Sequence, residues 1–510
     1  MAAPRTKIFP LLSKPGIKRD GSVFEGANYV DGVWCRFQRG RPRKIGGYVQ
    51  MNDRVTGICR GMHSFSANGY TNMYMGGATK LEVLPVNADT LTGAGIIDRT
   101  PAAFATSTSN TWQFDTMYDG AGVSAMILAH ASQNLLDIDS TTALPVYYGD
   151  AYANTALVST GQSVSGGVCV LPPYTFVYGS NGYVGWSDEN SVTNFTTGSA
   201  GNARIAGSKI VKGMLSRGSG GNAPSGLLWS LNSLIRASFS GGATIFRFDT
   251  ITDQSSILSS NAVIEYDGIF FWPGVDRFLM YSGVVKEVPN DMNLNWFYDN
   301  LNWTYRQKVW AMKVPRYGEI WWFYPRGTAT ECTHAVVFNV RENTWSDVEI
   351  SRSAGLFSQV FRFPVMTGTE ADSLGHTKLW MHEYGVDEIT PSSTNAIQSY
   401  FETADVSFVD GGPMAGGEGS WTGVERNIRL LRVEPDFIQT GDMTVQVLGR
   451  RFANSDTESA APITFSPTTE KVDTRAQQRQ MRLRFESNVQ GGDYQMGQTL
   501  LHFEMGDERP

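Results

Sequence analysis

The chain has 510 residues, with 42 Lys+Arg against 49 Asp+Glu for a formal net charge of −7. That length allows two to four domains and a large core. Charged residues make up 18%, aromatics 12%, and glycine numbers 54; this balance excludes a disordered chain, which needs low hydrophobicity and high charge, and a surface coated in nucleic acid, which would be strongly basic.

The N-terminal stretch MAAPRTKIFPLLSKPGIKRDG sets prolines and charges where a secretory leader needs an unbroken apolar run. No run of about 18 apolar residues follows, so no membrane-spanning helix is expected. Next comes the densest charge feature, WCRFQRGRPRK at 34–44. Arg36, Arg39, Arg41, Arg43 and Lys44 lie within nine residues, with Trp34 and Phe37 between them. One reading is a docking segment for an acidic partner surface or for phosphates. A solvated hairpin turning at Gly40–Arg41–Pro42 stands level with it. On the docking reading, alanine at Arg36, Arg39, Arg41 and Arg43 leaves the chain folded and impairs attachment to a partner.

Beyond residue 60 the pattern is strand, turn, strand, with almost no helical periodicity over three turns. Residues 70–85 read as a hairpin turning at Gly76–Gly77. Residues 173–187 carry Asn181–Gly182, the strongest short hairpin signal, because a type I′ turn needs positive φ at both positions. Further strand pairs read at 122–138, 226–240, 262–282, 317–350 and 377–385. Turn centres near 77, 132, 181, 231, 274, 327 and 376 give a period of about 50 residues, the rhythm of a β-propeller; six blades are preferred. An irregular set of sandwiches is the alternative. In VVFNVRENTWSDV, 336–348, a kelch-like phrase, Trp345 begins a strand and is expected to pack between blades. Residues 289–303 predict a short helix starting at Pro289 or Asn290. A cluster of turn formers at 391–395 marks a boundary, and longer alternating strands follow, clearest where Met481, Leu483 and Phe485 face opposite to Arg482, Arg484 and Glu486. GGPMAGGEGS, 411–420, reads as a flexible loop. The expected fold class is all-β: residues 1–60 an N-terminal arm with strands joining a platform domain, 61–390 a β-propeller, and 391–510 a second, β-sandwich-like platform.

Chemistry-bearing motifs are sparse. Cys35, Cys59, Cys169 and Cys332 form no CxxC pair, which argues against a zinc ribbon, a thioredoxin-like motif or a dense disulfide framework. There is no phosphate loop, nucleophile elbow or HExxH. His376, His382 and Glu383 are the one close metal-type group, without a third ligand at a suitable spacing. Asp137, Asp139, Asp188 and Glu189 are candidates for an acid–base pair, though turn-borne carboxylates usually serve their own loops. The expectation is no enzyme, no cofactor and no metal site.

The stretch KPGIKRDGSVFEGANYVDGVWCRFQRGRPRKIGGY resembles the opening of tail proteins from short-tailed bacteriophages. Asp31, Gly32, Arg36, Phe37, Gly40, Pro42, Lys44, Gly46 and Gly47 occupy the places of the phrase D-G-x-x-x-R-F-x-x-G-x-P-x-K-x-G-G. VVFNVRENTWSDV, LWMHEYGVDE at 379–388 and ITFSPTTEKVDTRAQQRQMRLRFESN at 463–488 are similar to later phrases of the same family, in the same order. The family is the tail nozzle, also called tail tubular protein B or packaged-DNA stabilisation protein. The resemblance implies a virion protein forming a homohexamer below the portal and adaptor rings, with tail fibre or needle proteins nearby. Its lumen passes double-stranded DNA without sequence-specific binding, and loops act as a gate whose residues nothing in the sequence marks. It also implies that Trp34, Arg36, Phe37, Arg39, Arg41, Arg43 and Lys44 contact a neighbouring subunit or the adaptor. The competing reading is a propeller-type glycan-binding or glycan-cleaving tail protein.

Overall fold

The computed structural model describes residues 6–22, 26–67, 69–102, 104, 111–120, 124–132, 138–216, 225–407 and 426–507. Asp137 and the loop 411–420 lie outside them. Among the described residues the fold is all-β, with one α-helix, Leu294–Asn300. No helix among them is long and apolar enough to cross a membrane.

Seven sheets follow one another between residues 48 and 396. The first holds Cys59–Ala67, Tyr70–Gly77, Leu81–Pro85 and Ile97–Asp98, each strand bonded to its sequence neighbour. The same four-stranded meander recurs over 111–164, 167–204, 210–252, 264–287 and 310–349. The seventh sheet differs. Its order is Ala354–Leu356, Val365–Ala371, His376–His382, then Tyr48–Thr56 from the N-terminal region, then Asp387–Ile389 and Thr394–Ala396.

Strands such as Gly167–Leu171, Tyr174–Tyr178 and Ser225–Ser230 are buried throughout and read as near-continuous apolar runs. Glu319–Tyr324, sequence EIWWFY, is buried throughout. Successive side chains alternate between faces, so Trp322 joins the cluster shared with the fifth sheet while Trp321 and Phe323 join that shared with the seventh. Each neighbouring pair of sheets shares one such cluster, and the seventh shares one with the first through Met51, Val55, Met73 and Val365. Trp345 lies between the fifth and sixth sheets as expected, its ring 4.8 Å from Phe278 and its Nε1 donating to the Pro289 carbonyl at 2.9 Å.

A second group of sheets is built from both ends of the chain. Lys7–Pro10 pairs with Leu500–Met505, which continues to Ile428–Glu434 and Val472–Gln478. Asp31–Val33 and Ser399–Glu402 extend a sheet centred on Gln480–Ser487 and Met443–Arg450. In Gln480–Ser487, Met481, Leu483 and Phe485 are buried and the charged residues between them are half-buried, as the alternation predicts. One apolar cluster, including Tyr29, Phe37, Phe401 and Phe485, holds these strands together.

Local expectations divide. Asn181 and Gly182 have φ of 56° and 63°, as a type I′ turn requires. The first hairpin turns after Gly77, at residues 78–79, with both glycines inside the strand. The helix begins at Leu294 because Asn290 accepts from the Met292 and Asn293 backbone N–H groups, while Asp20 accepts from those of Asn295 and Trp296, both at 2.8 Å. That carboxylate satisfies first-turn donors the short helix leaves open. At the boundary read near 391–395, Thr394–Ala396 pairs with Asp387–Ile389 as the last strand of the seventh sheet, and the next strand, Ser399–Glu402, joins the second group of sheets.

Candidate functional site

The cation-rich segment forms a tight hairpin of Cys35–Gln38 and Arg41–Lys44, closed by the pair Gln38–Arg41. Arg39 and Gly40 occupy the turn with φ of 53° and 70°, and a β-carbon on Gly40 would meet nothing within 4 Å. A carboxylate fixes this turn from outside. Glu342, in the turn between the last two strands of the sixth sheet, accepts from Arg39 N at 2.5 Å and Gly40 N at 3.1 Å.

Four of the seven candidate docking residues face inward. Phe37 packs on Tyr29, ring centroids 5.2 Å apart, and Trp34 packs on Tyr48 at 5.7 Å. Lys44 is buried and donates to the Gly492 carbonyl at 2.8 Å; burial lowers its pKa, and Asp387 and Asp493 oppose that. Arg36 is 2% exposed and lies between two carboxylates. Its Nη1 and Nη2 donate to Glu383 at 3.0 and 2.5 Å. Its Nε sits 3.0 Å from Glu319, close enough for attraction but off the line of a hydrogen bond. The guanidinium covers the Tyr317 ring at 3.7 Å. Burial would lower the Arg36 pKa, and the two carboxylates more than offset it; burial raises that of Glu319, with Arg36 opposing. The solvated-hairpin reading is therefore corrected for these four residues, which are buried. Trp34 and Phe37 hold the hairpin in place by apolar burial, and Arg36 and Lys44 find hydrogen-bond partners there that offset part of the cost of burying their charge. Arg39 is exposed, Arg41 and Arg43 are half-buried, and Arg43 donates to Gln38 at 2.8 Å.

Among the described residues the other expected groups form no cluster of three or more metal-type ligands. Glu383 is taken up by Arg36, and His382 Nε2 accepts from Arg352 Nε at 3.0 Å. Asp188 accepts from Ser199 N, Ser199 Oγ and Asn194 Nδ2, closing its own loop, and these bonds lower its pKa.

A second feature escaped the sequence reading. Two adjoining cavities, of about 460 and 360 Å³, lie where the seven sheets converge and share Phe114, Lys212 and Met214 in their walls. Asp115 lines the smaller one and His63 the larger. His63 stacks on Phe114, and burial, with Lys212 nearby, pushes its pKa down to about 4. Enclosure pushes the Asp115 pKa up to about 6, against the Val170 and Thr116 backbone donors and Lys212. An unfolded aspartate titrates near 3.9, so from pH about 4 to about 6 the native state holds the extra proton, and this group's contribution to stability falls as pH rises through that window. The Asp115→Asn variant is expected to lose that slope. Its stability relative to the parent should grow from pH 4 to pH 6 and then level off, in denaturant titrations at stepped pH. A difference that stays constant across the range would refute the assignment.

Comparison with known protein families gives no matching family model, and comparison with curated proteins gives no match.

Proposed function

We propose that the chain is a subunit of a bacteriophage tail nozzle, a structural virion protein whose ring encloses a DNA conduit. In this reading the seven sheets from 48 to 396 are the blades of a β-propeller, seven instead of the expected six, and Tyr48–Thr56 ties the N-terminal side of the chain into the last blade. The sheets built from both chain ends are the platform. The observation that carries the reading is this division into a run of meander sheets and a second group of sheets joined to it by the N-terminal segment, the two-part build that the sequence resemblance implies. The buried Arg36 hairpin supports it further, because it fastens one group to the other through Glu319 and Glu383.

The function follows as retention of packaged DNA below the portal and adaptor, and its release at ejection, with no catalytic step. Six copies surround the channel, DNA passes without sequence-specific contacts, and fibre or needle proteins are neighbours. A net charge of −7 per chain fits a lumen that does not grip phosphate, since each cation–phosphate contact adds salt-dependent retention.

The test is a cryo-electron microscopy reconstruction of the tail of virions carrying the chain. A six-fold ring below the adaptor, around a lumen about one duplex wide, is the expected result. A peripheral position facing the host surface, with no enclosed channel, would overturn the reading.

A further inference from the structure

The larger central cavity, about 460 Å³, is lined by the first strands of six of the seven sheets. Among the described residues its walls hold three cations, Arg60, Lys212 and Lys313, and no carboxylate. Two of these cations are answered from outside the cavity. Arg60 forks onto Glu331, both contacts at 2.6 Å, and Lys313 Nζ lies 3.1 Å from the Glu265 carboxylate. Among the described residues Lys212 has neither an ion pair nor a hydrogen bond. Enclosure lowers its pKa, with Asp115 and Cys169 opposing. Asp115 belongs to the smaller cavity, and its two oxygens already accept from the Thr116 and Val170 backbone N–H groups, both at 2.8 Å. His63 Nε2 is a second open group: it is buried and has no partner among the described residues, which is rare for a polar atom. Met62, Phe114, Met214 and Phe357 line the same cavity and are only half-buried, so they keep apolar surface that a guest would cover.

We propose that this cavity binds a small organic monoanion, a carboxylate carried on a flat apolar body, with the carboxylate on Lys212 and His63. The volume is that of a small-molecule site, an apolar hollow with a few convergent polar groups. The charge of the guest follows from the count of unpaired groups. One ammonium lacks a counter-ion, so a monoanion balances it, whereas a dianion would bury a charge with no partner. The carboxylate has two oxygens and the cavity offers two donors. Lys212 supplies an ammonium N–H, and the neutral His63 imidazole supplies Nε2–H in that tautomer. The flat body follows from the walls. His63 and Phe114 stack 21° from parallel, 6.3 Å apart, and the Met62 and Met214 thioethers beside them adapt to a planar guest.

The test is isothermal titration calorimetry of the full chain with 2-naphthoate and with its uncharged counterpart 2-naphthamide. Naphthoate is expected to bind at a single site per chain with a Kd of about 0.1 mM, and naphthamide about tenfold more weakly, since it forgoes the charged hydrogen bond. Lys212→Met keeps the length of the side chain and removes its charge. It should bind naphthoate about tenfold more weakly than the parent and naphthamide as the parent does. Circular dichroism checks that the variant is folded; if it is not, Lys212→Gln replaces it, and the comparison of the two probes on the parent needs no variant at all. Absence of naphthoate binding up to about 5 mM would overturn the proposal. So would equal affinity for the two probes, or naphthoate affinity unchanged by loss of the Lys212 charge. Displacement of naphthoate by an equal concentration of inorganic phosphate would overturn it too, because a site that reads charge alone has no use for an apolar body.

Discussion

Replacing Arg36 with alanine is expected to destabilise the chain by about 3–5 kcal/mol, the range for removing one partner of a buried ion pair. The loss comes from what is left behind more than from the pair itself. Glu319 is 2% exposed and, among the described residues, would keep the Trp321 indole as its close side-chain donor. Glu383, 9% exposed, would lose both guanidinium bonds. The charge-neutral triple variant Arg36→Ala, Glu319→Gln, Glu383→Gln should recover part of the loss, since no bare carboxylate is then buried. Lysine at 36 is expected to fall between, because one ammonium cannot face two carboxylates and cover a ring as a planar fork does. A pH series separates this from a simple packing defect. Burial already holds the Glu319 carboxyl above its ordinary range with Arg36 opposing; with Arg36 gone it rises further, so the variant loses further stability as pH climbs through that range. Its deficit against the parent, read from denaturant midpoints followed by circular dichroism, should be largest near pH 7 and shrink toward pH 4. A deficit that is flat with pH would reject the buried-carboxylate account. Alanine at Arg39, Arg41 and Arg43 together should cost less than about 1 kcal/mol, because one is exposed, two are half-buried, and cations outside ion pairs contribute little to stability.

Arg36 also marks where sequence reading runs out. Its charge density was legible, but its partner Glu383 is 347 residues away along the chain, and no local pattern tells a paired cation from a solvated one. Short-range features were legible because their causes are short-range. The left-handed pair at Asn181–Gly182 and the alternation from Met481 to Phe485 each follow from a few neighbouring residues. The seven turn centres also fall one to a sheet, from residues 77 to 376. The seventh sheet's makeup was hidden, because its central strand Tyr48–Thr56 comes from the other side of the chain. The central cavities were hidden for the same reason: Asp115, Lys212 and His63 lie on three different sheets and meet only when all seven converge.

The misplaced first turn carries the second large effect. Gly76–Gly77 looks like a turn because paired glycines usually supply positive φ, yet here the residues are needed small. A β-carbon on Gly76 would overlap the Trp112 indole of the second sheet, and Gly77 offers its carbonyl to Trp112 Nε1 at 2.8 Å. Trp112 is 1% exposed and stacks on Phe114, 5.7 Å away and 9° from parallel. Trp112→Ala is expected to cost about 3–5 kcal/mol, through lost burial and the cavity left between two sheets. Gly76→Ala should cost about 1–3 kcal/mol by overpacking, since the indole is wedged among Phe104, Phe114 and the strand and cannot step aside. The pair should be strongly non-additive. In the Trp112→Ala background the Gly76 methyl enters the vacated space, so the second substitution should cost almost nothing or restore stability, with an interaction energy of about 1–3 kcal/mol. A double-mutant cycle on chemical denaturation measures this directly. Additivity to within about 0.5 kcal/mol would mean that the indole does not set the limit at Gly76, and that the first and second sheets are not held together by this contact.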